Sequence, residues 1–333
     1  MIYIHPGESS FVRQDIDHLS KVFQLTPYYF RPNKKILLPL ELLKLFCFLL
    51  FRKKQDVLVS FGGYHSFIAA LVSRLKKNRL FVILNGVDAA ALPEVDYGFL
   101  RNGILKFCCK KSYQWAEKVL PVSESLMQTT NTYAFDDKKL GLYEAFGEHS
   151  INYEVIPNGF DADFWRPEPE MKREKAVITV ATKNRIELKG VDLFLALARD
   201  HPEYTFYIAG IDSLDNVSSN VKCLGYLKPE ELRVYYSKSQ FYFQLSVWEG
   251  FGCALCEAML CGCIPVVSNV NVLEEIVEDQ ELVLRKKNME GLKTLVNSLM
   301  IARRNNLKYR RRIEEKYPIS HRIDQLAGNL LSA

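Results

Sequence analysis

The sequence predicts an α/β protein of two similar domains with parallel sheets, and two observations carry this prediction. Short runs of β-branched and aromatic residues alternate with longer helical stretches, a pattern typical of strands joined by helical crossovers. At residues 155–167, two prolines and an Asn-Gly pair interrupt the alternation, and a mostly charged stretch follows. The chain of 333 residues is long enough for two domains. We therefore expect a first domain at residues 1–155 and a second at 156–315.

The two halves of the chain carry comparable sets of elements. In the first half we predict strands at residues 2–5, 56–61, 80–84 and 118–122, and helices at 14–23, 36–51, 66–76, 100–115 and 123–131. In the second half we predict strands at 177–181, 205–209, 221–224, 241–245 and 264–267, and helices at 191–199, 230–237, 254–260 and 289–303. The run 317–331 indicates a final helix.

The segment 34–54 is more apolar than an ordinary helix. Residues 36–51 are apolar except for Pro39, Glu41 and Lys44, and basic residues stand on both sides. The segment is too short and too charged to span a hydrocarbon core about 30 Å thick. Two interpretations stay open: a crossover helix buried in the first domain, or an interfacial helix whose flanking cations meet anionic lipid head groups. The second implies a lipid-linked or membrane-surface acceptor.

Composition limits the classes of partner. The net charge of +5 suits an anionic substrate or membrane face but is too small to indicate nucleic acid. The N-terminus lacks the basic start and apolar core of a signal peptide, so we expect a cytoplasmic protein. We expect the eight cysteines to be reduced thiols. Four of them, at 253, 256, 261 and 263, are spaced too tightly for a usual zinc site and are expected to be small apolar packing residues.

The segment 249–257 carries the most specific chemistry. Glu249 and Glu257 stand eight positions apart, with a glycine-bracketed turn after the first and a helical run around the second. A loop that leads into a helix N-terminus binds anions, whereas a carboxylate in front of it suits hydroxyl groups. Together they predict a ligand that is anionic at one end and polyhydroxylated at the other, which describes a nucleotide-sugar.

A basic segment at residues 182–192 follows a predicted strand and opens a helix. Its cations therefore stand at a strand carboxyl end, where open α/β sheets bind ligands. Each cation could favour a developing phosphate charge by up to about 4 kcal/mol at an effective dielectric near 20. The alternative is a solvated basic loop. The pattern Asp161-Ala162-Asp163 could hold a metal ion with a diphosphate, but it lies in the predicted linker, and we expect no metal and no cofactor.

These pieces together resemble the retaining GT-B glycosyltransferases of family 4. The resemblance rests on residues 157–161, on Lys183, Arg185 and 189–192, and on 249–252, 257–259, Gly262 and 265–267 in that order. It implies two Rossmann-like, doubly wound domains facing across a cleft, with the acceptor domain first and the nucleotide-sugar donor domain second. It also implies that the C-terminal helix at 316–333 crosses back to the first domain; a simple cap on the second domain is the alternative.

The resemblance implies a role for each donor-side residue. Arg185 and Lys189 would bind the donor pyrophosphate, with Lys183 competing with Arg185 for that role. Glu249 and the backbone of Phe251, Gly252 and Cys253 would hold the transferred sugar, and Glu257 would contact the ribose. The base would lie near Gly225, Tyr226 and Leu227, and Gly7 would let the backbone approach the diphosphate.

The acceptor side departs from the family. Many relatives place a histidine after a strand of the first domain, whereas this chain has Leu84-Asn85-Gly86-Val87-Asp88. Asn85 or Asp88 is expected to fill that place. His65, at another strand-to-helix turn, is expected either to face the cleft or to serve as a cap or packing residue.

The sequence thus predicts a metal-independent retaining glycosyltransferase that moves a sugar from a nucleoside-diphospho-sugar to a hydroxyl on a glycan or lipid-linked acceptor. We expect it in the cytoplasm, at or near the inner face of the membrane. Two alternatives remain: a non-catalytic nucleotide-sugar-binding or scaffold protein on the same fold, and a nucleotide-sugar epimerase.

Overall fold

The computed structural model describes residues 1–7, 9–30, 35–148, 151–301 and 306–332, which form two compact units. Unit 1 comprises residues 1–129, 139–159 and 320–333, and unit 2 comprises 130–138 and 160–319. Lys34, part of the predicted interfacial segment, and residues 302 and 303 of the predicted helix 289–303 lie outside the described residues.

Unit 1 is built around a parallel sheet with the strand order β2-β1-β3-β4-β5 among the described residues. The elements of the chain up to residue 159 are β1 (Ile2–His5), α1 (Ser10–Val22), β2 (Thr26–Tyr29), α2 (Leu38–Phe51), β3 (Val57–Ser60), α3 (Tyr64–Lys76), β4 (Leu80–Leu84), α4 (Gly103–Trp115), β5 (Lys118–Pro121), β6 (Thr129–Asn131), β7 (Lys138–Leu140) and α5 (Leu142–Phe146). Residues 130–138, which include most of β6 and the first residue of β7, belong to unit 2. Strands β1, β3 and β4 are buried at every position because helices cover a parallel sheet on both faces. The strand order reverses between β1 and β3, the position where such sheets open a crevice.

Unit 2 has a six-stranded parallel sheet, within the described ranges, with the order β10-β9-β8-β11-β12-β13. Its elements are β8 (Glu174–Val180), α6 (Val191–Asp200), β9 (Thr205–Ala209), β10 (Val221–Cys223), α7 (Pro229–Lys238), β11 (Ser239–Gln244), α8 (Cys253–Leu260), β12 (Ile264–Ser268), α9 (Leu273–Val277), β13 (Val283–Leu284), α10 (Met289–Ile301) and α11 (Leu307–Lys316). The order reverses between β8 and β11, so the predicted crevice of this unit lies between those strands.

The structure departs from the local predictions at residues 123–131 and at β2. Residues 123–131 form no α-helix: a 3₁₀ turn at Glu124–Leu126 leads into β6, where β-branched Thr129 and Thr130 favour an extended chain. Strand β2 was not predicted, and its Pro27 is tolerated because β2 is an edge strand.

The C-terminal run forms a helix as predicted, α12 (Ile319–Ser332), which begins directly after Pro318. Residues 320–333 are part of unit 1. The Arg322 side chain donates to both carboxylate oxygens of Asp15 on α1, at 2.6 and 2.7 Å. A buried ion pair therefore holds α12 against α1.

The predicted apolar helix is α2, preceded by a 3₁₀ turn at Lys35–Leu37. Its inner face is buried through Leu45 and Leu49, whereas Leu40, Leu43 and Phe51 are exposed. No helix in the described part of the chain is both long and apolar enough to cross a membrane.

Candidate active site

The predicted donor residues of unit 2 all follow carboxyl ends of its parallel strands. Residues 183–189 follow β8, residues 225–227 follow β10, and residues 249–253 follow β11. Because these strands run parallel, the three segments lie at one edge of the sheet. Two of them flank the reversal between β8 and β11, so the fold brings Lys189 and Glu249 into contact.

Lys189 is held by the tight packing of its loop against the end of β11. The Val247 N–H donates to the Leu188 carbonyl at 2.7 Å. Gly190 adopts a left-handed conformation with φ +65°, and a Cβ there would lie 2.1 Å from the Leu245 carbonyl oxygen. Only glycine therefore allows this approach, which directs Lys189 toward the end of β11.

Glu249 is the acceptor of a converging set of donors. Its Oε1 accepts from the Lys189 ammonium, from the Gln244 side-chain amide and from the Ser246 hydroxyl, the last at 2.9 Å. Its own backbone N–H donates to Asn271 Oδ1 at 3.1 Å. The residue is only 9% exposed, and buried carboxylates need such partners. Oε2 receives none of these three bonds.

The turn after Glu249 leads directly into α8. Phe251 is buried, and its ring packs against Phe160 and Tyr317. Gly252 has φ +103° and occupies the N-cap position of α8, and Cys253 is the first helical residue. The first N–H groups of a helix attract anions. Glu257 lies one turn later on α8 and is 6% exposed.

The remaining donor-side residues are more open to solvent. Lys183 and Arg185 are exposed at the two ends of a 3₁₀ turn after β8. Gly225, with φ +65°, exchanges backbone hydrogen bonds with the β9 loop: its N–H donates to Ile211 O and its carbonyl accepts from Gly210 N. Tyr226 beside it is 82% exposed and Leu227 is half-buried. The binding roles of these residues stay predictions.

In unit 1, Asp88 is fully buried and holds the loop after β4 in place. Its Oδ1 accepts from the backbone N–H groups of Asn85 and Gly86, at 3.1 and 2.9 Å, and its Oδ2 from that of Gly62 at 2.8 Å. Burial raises the pKa of Asp88 to about 6, although the amide donors lower it. Asp88 has 0% exposure, so it supports the loop and does not contact an acceptor.

Asn85 and His65 lie in the same region of unit 1. The Asn85 amide donates to Ser60 Oγ at 3.2 Å, and the residue is half-buried. His65 donates through Nε2 to the Ser60 carbonyl at 3.1 Å, stacks on Phe30 and is 5% exposed. Burial lowers the pKa of His65 to about 4. His65 is thus a packing residue, and Asn85 is the candidate that keeps access to the loop surface.

Gly7 follows β1 at the reversal of the unit 1 sheet. A Cβ added to Gly7 would meet no atom within 4 Å, and its carbonyl accepts from His5 Nδ1 at 3.1 Å. A molecule could approach the backbone there, but a larger residue would also fit. The glycine is therefore not required by the fold of unit 1 itself.

The patterns considered for metal binding have structural roles. Asp161 Oδ1 accepts from the N–H groups of Asp163 and Phe164, which closes a turn. Cys256, Cys261 and Cys263 are buried, and burial raises the pKa of Cys263 to about 12. Within the ranges that the structure describes, no three His, Cys, Asp or Glu side chains are grouped so as to hold a metal ion.

Sequence reasoning missed the residues that position Glu249. Gln244 and Ser246 could have been suspected, because they are polar residues at the end of an apolar strand. Asn131 could not: its amide donates to Val247 O at 2.7 Å across 116 positions of sequence. Tyr133 donates to the neighbouring carbonyl of Leu245 at 3.4 Å. The segment 130–138 therefore supports the loop that carries Glu249.

The arrangement suits a ligand with both charge and hydroxyl groups. Cations at 183–189 and the amide end of α8 favour an anion, and Glu249 and Glu257 offer carboxylate acceptors beside it. The buried polar cluster around Glu249 is fixed before any ligand arrives, which lowers the cost of ordering on binding.

A family model and curated relatives match parts of the chain. Residues 161–317 match the family model described as glycosyl transferases group 1. The chain is 29% identical over 138 residues to the phosphatidylinositol N-acetylglucosaminyltransferase gpi3 subunit of Schizosaccharomyces pombe, covering 37% of this chain and 30% of that protein. It is 36% identical over 72 residues to the O-antigen chain mannosyltransferase B of Escherichia coli, covering 22% and 19%. The matched stretches thus span less than a third of these two relatives.

Solved structures match over nearly the whole chain. The Anabaena protein Alr3699/HepE, solved in complex with UDP and glucose, has a TM-score of 0.73 at 16% identity and covers 100% of this chain and 99% of its own. Sucrose-phosphate synthase from Thermosynechococcus elongatus has a TM-score of 0.77 at 15% identity, with 99% of both chains covered. The fold predicted from the sequence, two Rossmann-like domains of the GT-B type, is confirmed.

Proposed function

We propose that this chain, a GT-B protein whose residues 161–317 belong to the glycosyl transferases group 1 family, moves a sugar from a nucleoside-diphospho-sugar to a hydroxyl acceptor. The transfer would retain the anomeric configuration and need no metal ion. The observation that supports it most is the contact between Lys189 and Glu249 at the reversal of the unit 2 sheet. It places a phosphate-binding cation and a hydroxyl-binding carboxylate side by side.

The donor would bind along the edge of the unit 2 sheet. Arg185, Lys189 and the amide end of α8 would take the diphosphate, and Glu249 would take sugar hydroxyls. When a donor binds, Lys189 would exchange its contact with Glu249 for a phosphate oxygen. Gln244 and Ser246 would keep the Glu249 carboxylate in place during this exchange.

Bond cleavage leaves negative charge on the departing diphosphate and positive charge on the sugar ring. Fixed cations and helix amides that meet the developing phosphate charge lower the barrier without a metal ion. Glu257 would hold the ribose, and residues 225–227 would line the base. In this proposal Asn85 is the acceptor-side residue closest in sequence to the family's histidine position.

The acceptor we propose is a glycan or a lipid-linked glycan. The names of the two relatives, one acting on phosphatidylinositol and one on an O-antigen chain, support this class. Contact of residues 34–54 with the inner face of the cytoplasmic membrane belongs to the same proposal, since exposed apolar residues stand on α2 and exposed basic residues follow it at 52–54.

The proposal is tested by a thermal-shift panel of nucleotide-sugars, followed by measurement of nucleoside diphosphate release with and without acceptors. A bound donor raises the melting temperature by mass action, so a hit identifies base and sugar. Lys189→Ala should lower transfer at least about a hundredfold because a cation at the diphosphate is lost. Lys175→Ala, at the opposite end of β8, is the matched control and should leave transfer unchanged.

The results of these assays distinguish a glycosyltransferase from a binding protein and from an epimerase. Donor binding without diphosphate release in any acceptor panel would favour a binding or scaffold protein, and donor conversion without acceptor would favour an epimerase. Equal turnover of Lys189→Ala and the unsubstituted chain would remove Lys189 from the reaction. The anomeric configuration of the product, read by NMR, tests retention, and persistence of activity in EDTA tests metal independence.

A further inference from the structure

Helices α2, α3 and α4 form one layer on unit 1. The strand order β2-β1-β3-β4-β5 and the right-handed crossover rule put the β2–β3, β3–β4 and β4–β5 connections on the same face of the sheet. Lys76 at the end of α3 donates to the Leu50 carbonyl of α2 at 2.9 Å. Ser66 of α3 bonds to Ser112 of α4 at 2.7 Å between hydroxyl oxygens. The three helices therefore share a single outer surface.

Large apolar side chains are concentrated on that surface. Of the fourteen large hydrophobic residues exposed in the described part of the chain, eight lie on these helices and on the turn before α2. They are Ile36, Leu37, Leu40, Leu43, Phe51, Leu75, Ile104 and Phe107. Scattered apolar residues are normal on a surface, but a group confined to one helical layer marks an interaction site. We call the outer side of this layer the α2–α4 face.

The three helices and the residues directly after α2 and α3 are strongly basic. Residues 38–54, 64–77 and 103–115 together contain ten lysines and arginines and one carboxylate, Glu41. That carboxylate is already paired with Lys44 at 2.8 Å. Lys111 and Arg74 lie over the Trp115 ring at 5.8 and 5.2 Å, so cations and apolar groups alternate across α3 and α4. The layer thus combines exposed apolar side chains with a large excess of basic over acidic residues.

We propose that the α2–α4 face docks on an anionic lipid surface. Lysine and arginine would meet the head groups while Leu43, Phe51 and Ile104 enter the boundary with the acyl chains. A second copy of this chain would bring like charge against like charge. Nucleic acid would meet mainly aliphatic side chains, which cannot stack on bases. Lipid binding extends the proposed membrane contact from residues 34–54 to α3 and α4, and it does not depend on sugar transfer.

The test is flotation of the full chain with vesicles of phosphatidylcholine alone or mixed equally with phosphatidylglycerol. We expect binding to the anionic vesicles, weakened by high salt, and little binding to the neutral ones. The double variant Ile104→Ser/Phe107→Ser, on α4, should lower vesicle affinity about tenfold or more because buried apolar area is lost. The variant Lys110→Glu/Lys111→Glu should do the same through charge.

Two control variants come from unit 2 and should bind vesicles normally: Leu307→Ser on α11, where Leu307 is about as exposed as Phe107, and Lys175→Glu, where Lys175 is an exposed lysine on β8. Melting curves show whether each variant is folded. If one of the two α4 variants does not fold, the other still tests the proposal. Unchanged vesicle binding by both α4 variants, or equal binding to neutral vesicles, would overturn the proposal. The proposal would also be overturned if the chain self-associated and the α4 variants abolished this self-association. Nucleoside diphosphate release with a soluble acceptor should be unaffected, which separates this proposal from the proposed reaction.

Discussion

Arg322 and Asp15 form a buried, two-pronged ion pair between the last and the first helix of the chain. The Arg322 Nε and Nη2 atoms donate to the two Asp15 carboxylate oxygens at 2.6 and 2.7 Å, and both residues are at most 3% exposed. Arg322 Nη1 also donates to the carbonyls of Ile156 and Pro157, at 3.1 and 3.0 Å. The Arg322 side chain thus joins α12 to α1 and to residues 156–157, and all of these bonded residues belong to unit 1.

Removing one partner of this pair should destabilise unit 1 strongly. Arg322→Ala leaves Asp15 as a buried, unpaired carboxylate, for which we expect a loss of about 3–5 kcal/mol in unfolding free energy. Chemical denaturation followed by circular dichroism measures it. Arg311→Ala, an exposed arginine on the preceding helix, should change stability by less than about 0.5 kcal/mol. If Arg322→Ala also lowered the unfolding free energy by less than about 0.5 kcal/mol, water would be able to satisfy Asp15 in place of Arg322.

Two glycines should respond to alanine in opposite directions. Gly190→Ala places a Cβ 2.1 Å from the Leu245 carbonyl in a left-handed conformation, so we expect a loss above about 2 kcal/mol and disturbed donor binding. Gly328→Ala lies within α12 with no atom near the new Cβ and should stabilise by about 0.5–1 kcal/mol. Thermal melting of both variants is the measurement. Equal melting temperatures for the two would contradict the geometry at Gly190.

Ser246 should matter for donor binding through Glu249. Its hydroxyl donates to Glu249 Oε1 at 2.9 Å, so Ser246→Ala removes one of the three donors that fix this carboxylate. A lost hydrogen bond to a charged group is worth about 1.5–3 kcal/mol, which corresponds to roughly tenfold or greater weakening of donor affinity. Titration with the donor found by thermal shift measures the dissociation constant. Ser298→Ala, an exposed serine on α10, is the control, and matching affinities for the two variants would exclude this role.

His65 and Asp88 should give unit 1 two opposing responses to pH. The pKa of His65 falls from 6.5 to about 4 on folding, so the unfolded chain binds the extra proton and stability is lost as pH falls from 6.5 to 4. The pKa of Asp88 rises from 3.8 to about 6, so the folded chain binds the extra proton and stability is gained as pH falls from 6 to about 4. Each effect amounts to roughly 3 kcal/mol and they largely cancel.

Single variants should uncover the two responses. His65→Gln leaves the Asp88 response, so the unfolding free energy should rise as pH is lowered from 6 to 4. Asp88→Asn leaves the His65 response, so stability should fall over pH 6.5 to 4; it also places an amide opposite the Gly62 N–H and should cost about 1–3 kcal/mol at pH 7. Denaturant melts at several pH values measure both. If the unfolding free energies of the two variants changed with pH in the same direction, His65 and Asp88 would not be the groups whose pKa values shift on folding.

Most strands and helices could be predicted from the sequence because their signals are local. The alternating apolar runs located β1, β3, β4, β8, β9 and β11, and the glycine-rich turn at 250–252 located the start of α8. The errors arose where local signals were weak or overridden: residues 123–131 carry mixed propensities, and β2 contains a proline that only its edge position allows. The family resemblance also indicated which strand ends carry Lys189 and Glu249, although their contact could not be read from 60 positions of separation.

The sequence alone therefore determined the α/β class, the two-domain organisation and the residue types at the strand ends. Periodicity and turn chemistry act within a few residues and are visible in the chain itself. Only the tertiary structure decided that three donors converge on Glu249 and that Asp88 serves its own loop. It also decided that Asn131 supports the loop before Glu249 and that α2, α3 and α4 share one basic, apolar face. These contacts join residues far apart in sequence, and strand order, which no local signal encodes, brings them together.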